Sequence, residues 1–202
     1  MPVYDWGVTS SPSSAVPESA VVVAAPADAA AFAPVAAQTH YQVRFGRGAS
    51  GLVEVGAHAD VVVWVDALPS LSADGTLVPP ALPPFPELPT PAAPPLFLAG
   101  LPTRTRAAEW MLAHQVAAGS RVSVAVIAAH DTVEDTLAAG AVIDALAGLG
   151  IDFSSPEAAV VCASFTALER AVGHLLSASV SGRELIAAGH GDELAAAAVV
   201  GS

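Results

Sequence analysis

The sequence predicts an α/β fold in which a mixed or largely parallel central sheet is flanked by helices. Three observations lead there. The stretch A-D-V-V-V-W-V-D-A-L-P-S, from Ala59 to Ser70, holds an unbroken run of Val and Trp between two aspartates. Such a run reads as a strand covered on both faces. A second apolar run, V-S-V-A-V-I-A at Val122–Ala128, follows a segment of helical periodicity. Strand and helix patterns then alternate along the chain, which favours parallel strands joined through helices.

Residues 1–39 are mostly Ala, Pro, Ser and Val and read as an N-terminal arm, with one strand-like run at Ala20–Ala24. Residues 40–202 read as a single α/β domain. Tyr41–Phe45 alternates as a strand, and Gly46, Gly48 and Gly51 after it read as a turn. The central strand follows. Residues 69–95 include P-P-A-L-P-P-F-P-E-L-P-T-P-A-A-P-P, with about half of the chain's 17 prolines. That stretch suits neither helix nor central strand, so it is predicted to be an extended surface connection.

Leu96–Ala99 reads as a short strand. Thr103–Ala118 reads as a helix, with Ala107, Trp110, Met111 and His114 at helical spacing. After the Val122–Ala128 strand, Thr132 is placed to cap a helix whose first turn carries Glu134 and Asp135, and which ends near Gly148 or Gly150. Ser155-Pro156-Glu157 opens the next helix, which runs towards His174 or Leu176. Ser181-Gly182-Arg183-Glu184 fits a capping box for a helix that stops at Gly189, and Asp192 is placed to cap a last Ala-rich helix, Glu193–Val200.

Composition narrows the function classes. The chain is 53% hydrophobic and 13% charged, has no Lys, and carries a net charge of −12. No basic stripe exists to neutralise nucleic-acid phosphates. The apolar runs read as too interrupted for a membrane span. The start, M-P-V-Y-D-W-G, lacks the basic region of a secretory signal. The single Cys162 leaves no internal disulfide and reads as a small core residue. These features predict a cytoplasmic protein without a nucleic-acid or membrane partner. The apolar, weakly charged composition favours a homo-oligomer.

Acidic residues are the candidates for chemistry. Asp66 stands where the central strand ends, and ligands collect at the carboxyl ends of strands in open α/β sheets; an aspartate there also caps turns. Asp131, Glu134 and Asp135 follow the Val122–Ala128 strand, and Glu184 and Asp192 lie further on. Carboxylates without Cys or paired His suit Mg²⁺, which completes its shell with water and substrate phosphate. Arg183 offers a planar fork for a phosphate or sulfonate. Of the six His, only His130 adjoins these clusters, where an exposed loop residue is the plainer reading.

Four segments in order carry a resemblance: R-F-G-R-G-A-S-G (Arg44–Gly51), V-V-V-W-V-D-A-L, V-E-D-T-L-A-A-G-A (Val133–Ala141) and S-G-R-E-L-I-A-A-G (Ser181–Gly189). Over roughly Thr39–Leu68 and Leu96–Asp192, the chain resembles the 2-phosphosulfolactate phosphatases. These are Mg²⁺-dependent enzymes of α/β fold that hydrolyse 2-phospho-3-sulfolactate. The resemblance implies Asp66, Glu134 and Asp135 as catalytic residues and Ser181, Gly182 and Arg183 as substrate-binding ones. It implies Asp66, Glu134, Asp135 and Glu184 as ligands of Mg²⁺, and a small anionic phosphoester as substrate. The chain departs from that pattern where the prolines replace a Ser/Thr-rich turn and an Asn-Gly-Ser loop, since it contains no Asn at all. Arg47 stands where the family has Trp, and Pro102-Thr103 where it has Arg-Asn. The alternative is therefore a non-catalytic relative that kept the scaffold as a binding or partner module.

Overall fold

A computed structural model describes residues 37–82 and 94–201. In chain order the elements are β1 (Val43–Arg47), α1 (Gly48–Glu54), β2 (Val61–Val65), β3 (Ser70–Leu71), β4 (Leu77–Val78) and β5 (Leu96–Ala99). Then come α2 (Arg104–Ala118), β6 (Val124–Ala128), α3 (Val133–Gly148), α4 (Pro156–Leu168), α5 (Val172–Ala178), α6 (Val180–Ala187) and α7 (Gly191–Ala197). Four strands form a wholly parallel sheet in the order β1-β6-β2-β5. The α/β class expected from sequence is therefore present, with helices around a parallel sheet.

Alternation along the two inner strands divides the core. Val61, Val63 and Val65 of β2 and Val124, Val126 and Ala128 of β6 face a thick helical layer that includes Met111, Leu137, Val142 and Phe165. Val62, Trp64, Ala125 and Ile127 face the other way, against Leu52 of α1 and Val55 just after it. Both faces are covered, which is why the two runs are apolar at every position. The outer edge of β1 is covered at its start as well. The Gln42 and Val43 N–H groups donate to the Phe153 carbonyl, and the Ser155 N–H donates to the Val43 carbonyl. That pairing covers the start of the β1 edge, at Val43.

The structure corrects several readings. The glycines after β1 open a helix, α1, rather than a simple turn. A Cβ on Gly51 would sit 2.8 Å from the Gly46 carbonyl carbon, so the two glycines let α1 pack backbone against strand. Part of the proposed proline-rich connection is a small antiparallel hairpin, β3–β4, turned through Asp74 and Gly75 (φ +82°). The remainder of that stretch, residues 83–93, lies outside the described residues, as do residues 1–36 and with them the strand expected at Ala20–Ala24.

The helix after Ser155 stops at Leu168, and a 3₁₀ turn at Glu169–Ala171 leads into α5. By length and apolarity alone, the run Pro156–Ala178 would qualify as a membrane span, so not every apolar run is as short as expected. Here one of its faces, with Ala158, Val161, Phe165, Val172 and Leu176, packs into the core. Cys162 lies half-buried against that core. Ser179, not Ser181, caps α6 by accepting the Gly182 N–H. Asp192 lies in the first turn of α7 rather than at its cap.

A candidate acidic cation site at the carboxyl edge of the sheet

Parallel register sets the site. Val65 of β2 pairs with Ala128 of β6, and the Ala129 N–H donates to the Val65 carbonyl at 2.7 Å. The chain leaves both strands at the same edge, so Asp66 and His130 emerge as neighbours from two loops. This is where ligands collect in such sheets. The third contributor is the start of α3. Thr132 caps it as the sequence implies, its Oγ1 accepting the Asp135 N–H at 3.2 Å.

Asp135 does more than serve the helix dipole. Its Oδ1 accepts the Ala67 N–H at 2.7 Å, and its Oδ2 accepts the His130 N–H at 2.9 Å. The same Oδ2 lies 3.0 Å from Nδ1 of His130. One carboxylate therefore ties the loops after β2 and β6 to the first turn of α3. Its side chain is 3% exposed while the His130 ring is 65% exposed. Glu134 is buried beside it and accepts a hydrogen bond from the Ser179 hydroxyl at 3.2 Å. That bond joins the site to the cap of α6.

A cavity of about 280 Å³ opens at this edge, and its lining includes Asp66, His130, Glu134, Asp135, Ser181 and Glu184. Five of the seven site residues that the resemblance implies thus line one space: Asp66, Glu134, Asp135, Ser181 and Glu184. A second cavity of about 340 Å³ shares Asp66 and His130 with it and is floored by Trp64. The indole Nε1 of Trp64 is the one buried side-chain polar atom among the described residues with no hydrogen-bond partner. Such an orphan costs about 1–3 kcal/mol.

Electrostatics follow from burial. Loss of solvent pushes the Asp66 carboxyl up to about 6, and the nearby Asp135 carboxylate adds to the rise. An N–H from Ala81, 3.3 Å from Oδ2, and the His130 ring offset part of it. Burial also raises Asp135, opposed by its hydrogen bonds from Ala67 and His130. One ligand atom from each of Asp66, His130 and Asp135 lies within 4.8 Å of the other two. Carboxylates crowded in this way favour a bound cation, which relieves both desolvation and mutual repulsion.

Two predicted substrate-binding residues are not brought to this cavity. Gly182 is buried in α6, where a Cβ would run into the Leu176 carbonyl oxygen of α5. Its need for glycine is a packing need. Arg183 is exposed and absent from the lining of both cavities. Since the chain has no Lys, its seven arginines are the only permanent side-chain cations, and none lines either cavity. Arg47 is held instead by Asp131 and Thr136, and Arg104 by Asp144 and the Gly201 carbonyl.

His130 is the member that the sequence undervalued. Its one cue was adjacency to Asp131, whereas its structural partner is Asp135, across the cap of α3. The chain matches no known protein-family model, no curated protein and no solved structure.

Proposed function

We propose that the protein is a divalent-cation-dependent phosphatase acting on a small acidic phosphomonoester, with 2-phospho-3-sulfolactate and Mg²⁺ as the substrate and ion that the sequence resemblance implies. The observation that carries this reading is the meeting of Asp66, Glu134, Asp135 and Glu184 around one cavity at the carboxyl edge of the sheet. The donor set fits a divalent ion. Among the described residues Asp66 accepts one hydrogen bond, from Ala81, and Glu134 one, from Ser179, which leaves oxygen lone pairs on each.

A bound divalent ion would supply the positive charge that polarises and neutralises phosphoryl oxygens. The chain's own residues do the rest. Asp66 and Glu134 would offer it oxygen ligands, with Glu184 in the lining of the same cavity. Asp135 fixes the two loops, and the Ser181 hydroxyl offers a hydrogen bond to an ester or sulfonate oxygen. The test is release of inorganic phosphate from p-nitrophenyl phosphate and from 2-phospho-3-sulfolactate, with and without added Mg²⁺. Hydrolysis that needs the ion and disappears in Asp66→Asn supports the reading. No release from either ester with any divalent ion refutes it.

A second reading, a non-catalytic binding or partner module on the same scaffold, is favoured by one observation. No arginine lines the cavity, so the chain itself brings no permanent positive charge to an anionic ester there. Ion-dependent turnover lost in Asp66→Asn would end this reading.

A further inference from the structure

We propose that His130 is the nitrogen ligand of this site, oriented by Asp135, and that the ion it selects belongs to the Co²⁺ and Zn²⁺ class rather than being Mg²⁺. The inference rests on the cation-dependent reading above and names its ion.

Asp135 joins two loops through its carboxylate. Its Oδ1 accepts the Ala67 N–H and its Oδ2 accepts the His130 N–H, at 2.7 and 2.9 Å. Both oxygens are thus already acceptors from backbone donors whose hydrogens cannot move elsewhere. An ionised carboxylate has no hydrogen to give, so with Asp135 ionised the His130 Nδ1, 3.0 Å from the same Oδ2, is the donor. With its proton on Nδ1, the neutral ring carries its free lone pair on Nε2. The ring stands 65% exposed at the wall of both cavities, beside Asp66, while the carboxylate that orients it is 3% exposed.

A histidine that ligates a metal almost always gives its other ring N–H to a carboxylate or carbonyl, which fixes the tautomer and makes the ligating nitrogen more basic. Here that partner is in place before any ion arrives. Asp135 acts as a positioning residue: Oδ2 gives both of its lone pairs to the His130 N–H and Nδ1–H, and Oδ1 is anchored to the loop after β2 by the Ala67 N–H. The ligands left are Nε2 of His130 and an oxygen of Asp66, with Glu134 and Glu184 at the same cavity. Imidazole suits zinc and other transition ions, whereas Mg²⁺ takes oxygens in a near-ideal octahedron and keeps its water. One nitrogen among carboxylates shifts the preference away from Mg²⁺.

The experiment uses the full chain, stripped with chelator and titrated with Mg²⁺, Mn²⁺, Co²⁺ and Zn²⁺ by calorimetry. Visible absorption of Co²⁺ and nitrogen NMR of the His ring accompany the titrations. His130→Ala is the first variant, because an exposed ring can be removed without opening the core. The proposal expects Co²⁺ and Zn²⁺ to bind more tightly than Mg²⁺. Losing His130 should weaken them by at least about 10-fold, the lower end of what even an outer partner of a metal ligand contributes, and leave Mg²⁺ affinity unchanged. The ring should show its proton on Nδ1 in the free protein, and Co²⁺ should perturb Nε2.

Asp135→Asn, checked for folding by its melt, should weaken Co²⁺ by about 10–100-fold. If His130→Ala binds Co²⁺ as the wild type does, or if the ring carries its proton on Nε2, the proposal falls. Equal affinity for Mg²⁺ and Co²⁺ also overturns it. The two readings fail separately. Co²⁺ bound through His130 with no ester hydrolysed under any ion removes the phosphatase and keeps the ligand. Mg²⁺-dependent hydrolysis that survives in His130→Ala, with Co²⁺ binding intact, does the reverse.

Discussion

Asp66→Asn should make the protein more stable at pH 8 while destroying its cation site. In the fold the Asp66 carboxyl titrates at about 6 instead of its ordinary 3.8. The folded chain therefore keeps a proton between pH 4 and 6 that the unfolded chain has released. Stability rises with pH only where the unfolded state binds more protons, so here it falls as pH rises through that window. Above pH 6 the penalty is fully present. A rise of about two units at 1.36 kcal/mol each is about 3 kcal/mol. Asp66 is only half-buried, so screening by solvent reduces this to about 1.5 kcal/mol.

Asparagine has nearly the same shape and can still accept the Ala81 N–H at its oxygen, but it carries no charge to desolvate. In chelator at pH 8, Asp66→Asn should melt about 3–6 °C above the wild type for a chain of this length. At pH 4 the two should melt together. Saturating divalent cation should reverse the order at pH 8, since an ion at 100 times its Kd stabilises the wild type by about 2.7 kcal/mol and the variant by little. The assay is thermal unfolding by circular dichroism at the two pH values, with and without the ion. A variant that is less stable than the wild type at pH 8 in chelator refutes the argument. So does a difference between the two that is the same at pH 4 and pH 8.

Arg183→Ala should leave both melting and KM for an anionic ester unchanged, within about 0.5 kcal/mol, because the residue is exposed and off the cavity. A tenfold rise in KM would place it at the substrate after all. Gly182→Ala should cost about 3 kcal/mol or prevent folding, because the added methyl meets the backbone of α5 rather than a side chain that can turn aside. An unchanged melt, by the same optical assay, would show that the two helices can separate freely. Inorganic phosphate should bind only after a divalent ion. Two like charges about 6 Å apart repel by roughly 3 kcal/mol in a medium of intermediate polarity, and no arginine at the cavity offsets this. Calorimetry that finds phosphate bound equally well in chelator would refute that order.

How much of this was legible depends on how local each cause is. The runs at β2 and β6 announce themselves because each is apolar at every position, and the caps at Thr132 and Ser155 because capping is decided within four residues. The hairpin could have been found from Asp74-Gly75, a dipeptide favoured in tight β-turns, between Ser70-Leu71 and Leu77-Val78. The prolines that follow hid it. Helix α1 was harder, since Gly46 and Gly51 look like breakers, and only their close approach explains them. At the site, Asp66, Glu134 and Asp135 follow from the rule of strand ends. His130 does not, because its value comes from a carboxylate five residues on, turned back over a helix cap.

Arg183 shows the same limit from the other side. Ser181-Gly182-Arg183-Glu184 has the letters of a capping box, but Ser179 closes the cap two residues earlier. The facing of the helix is set by which residues pack inward, not by where its cap falls. In the actual phase Gly182 and Leu185 face inward, Ser181 and Glu184 border the cavity, and Arg183 faces solvent. With Arg183 outside, the titratable groups lining the cavity are four carboxylates and one imidazole, so an anion is expected to follow a bound cation into it.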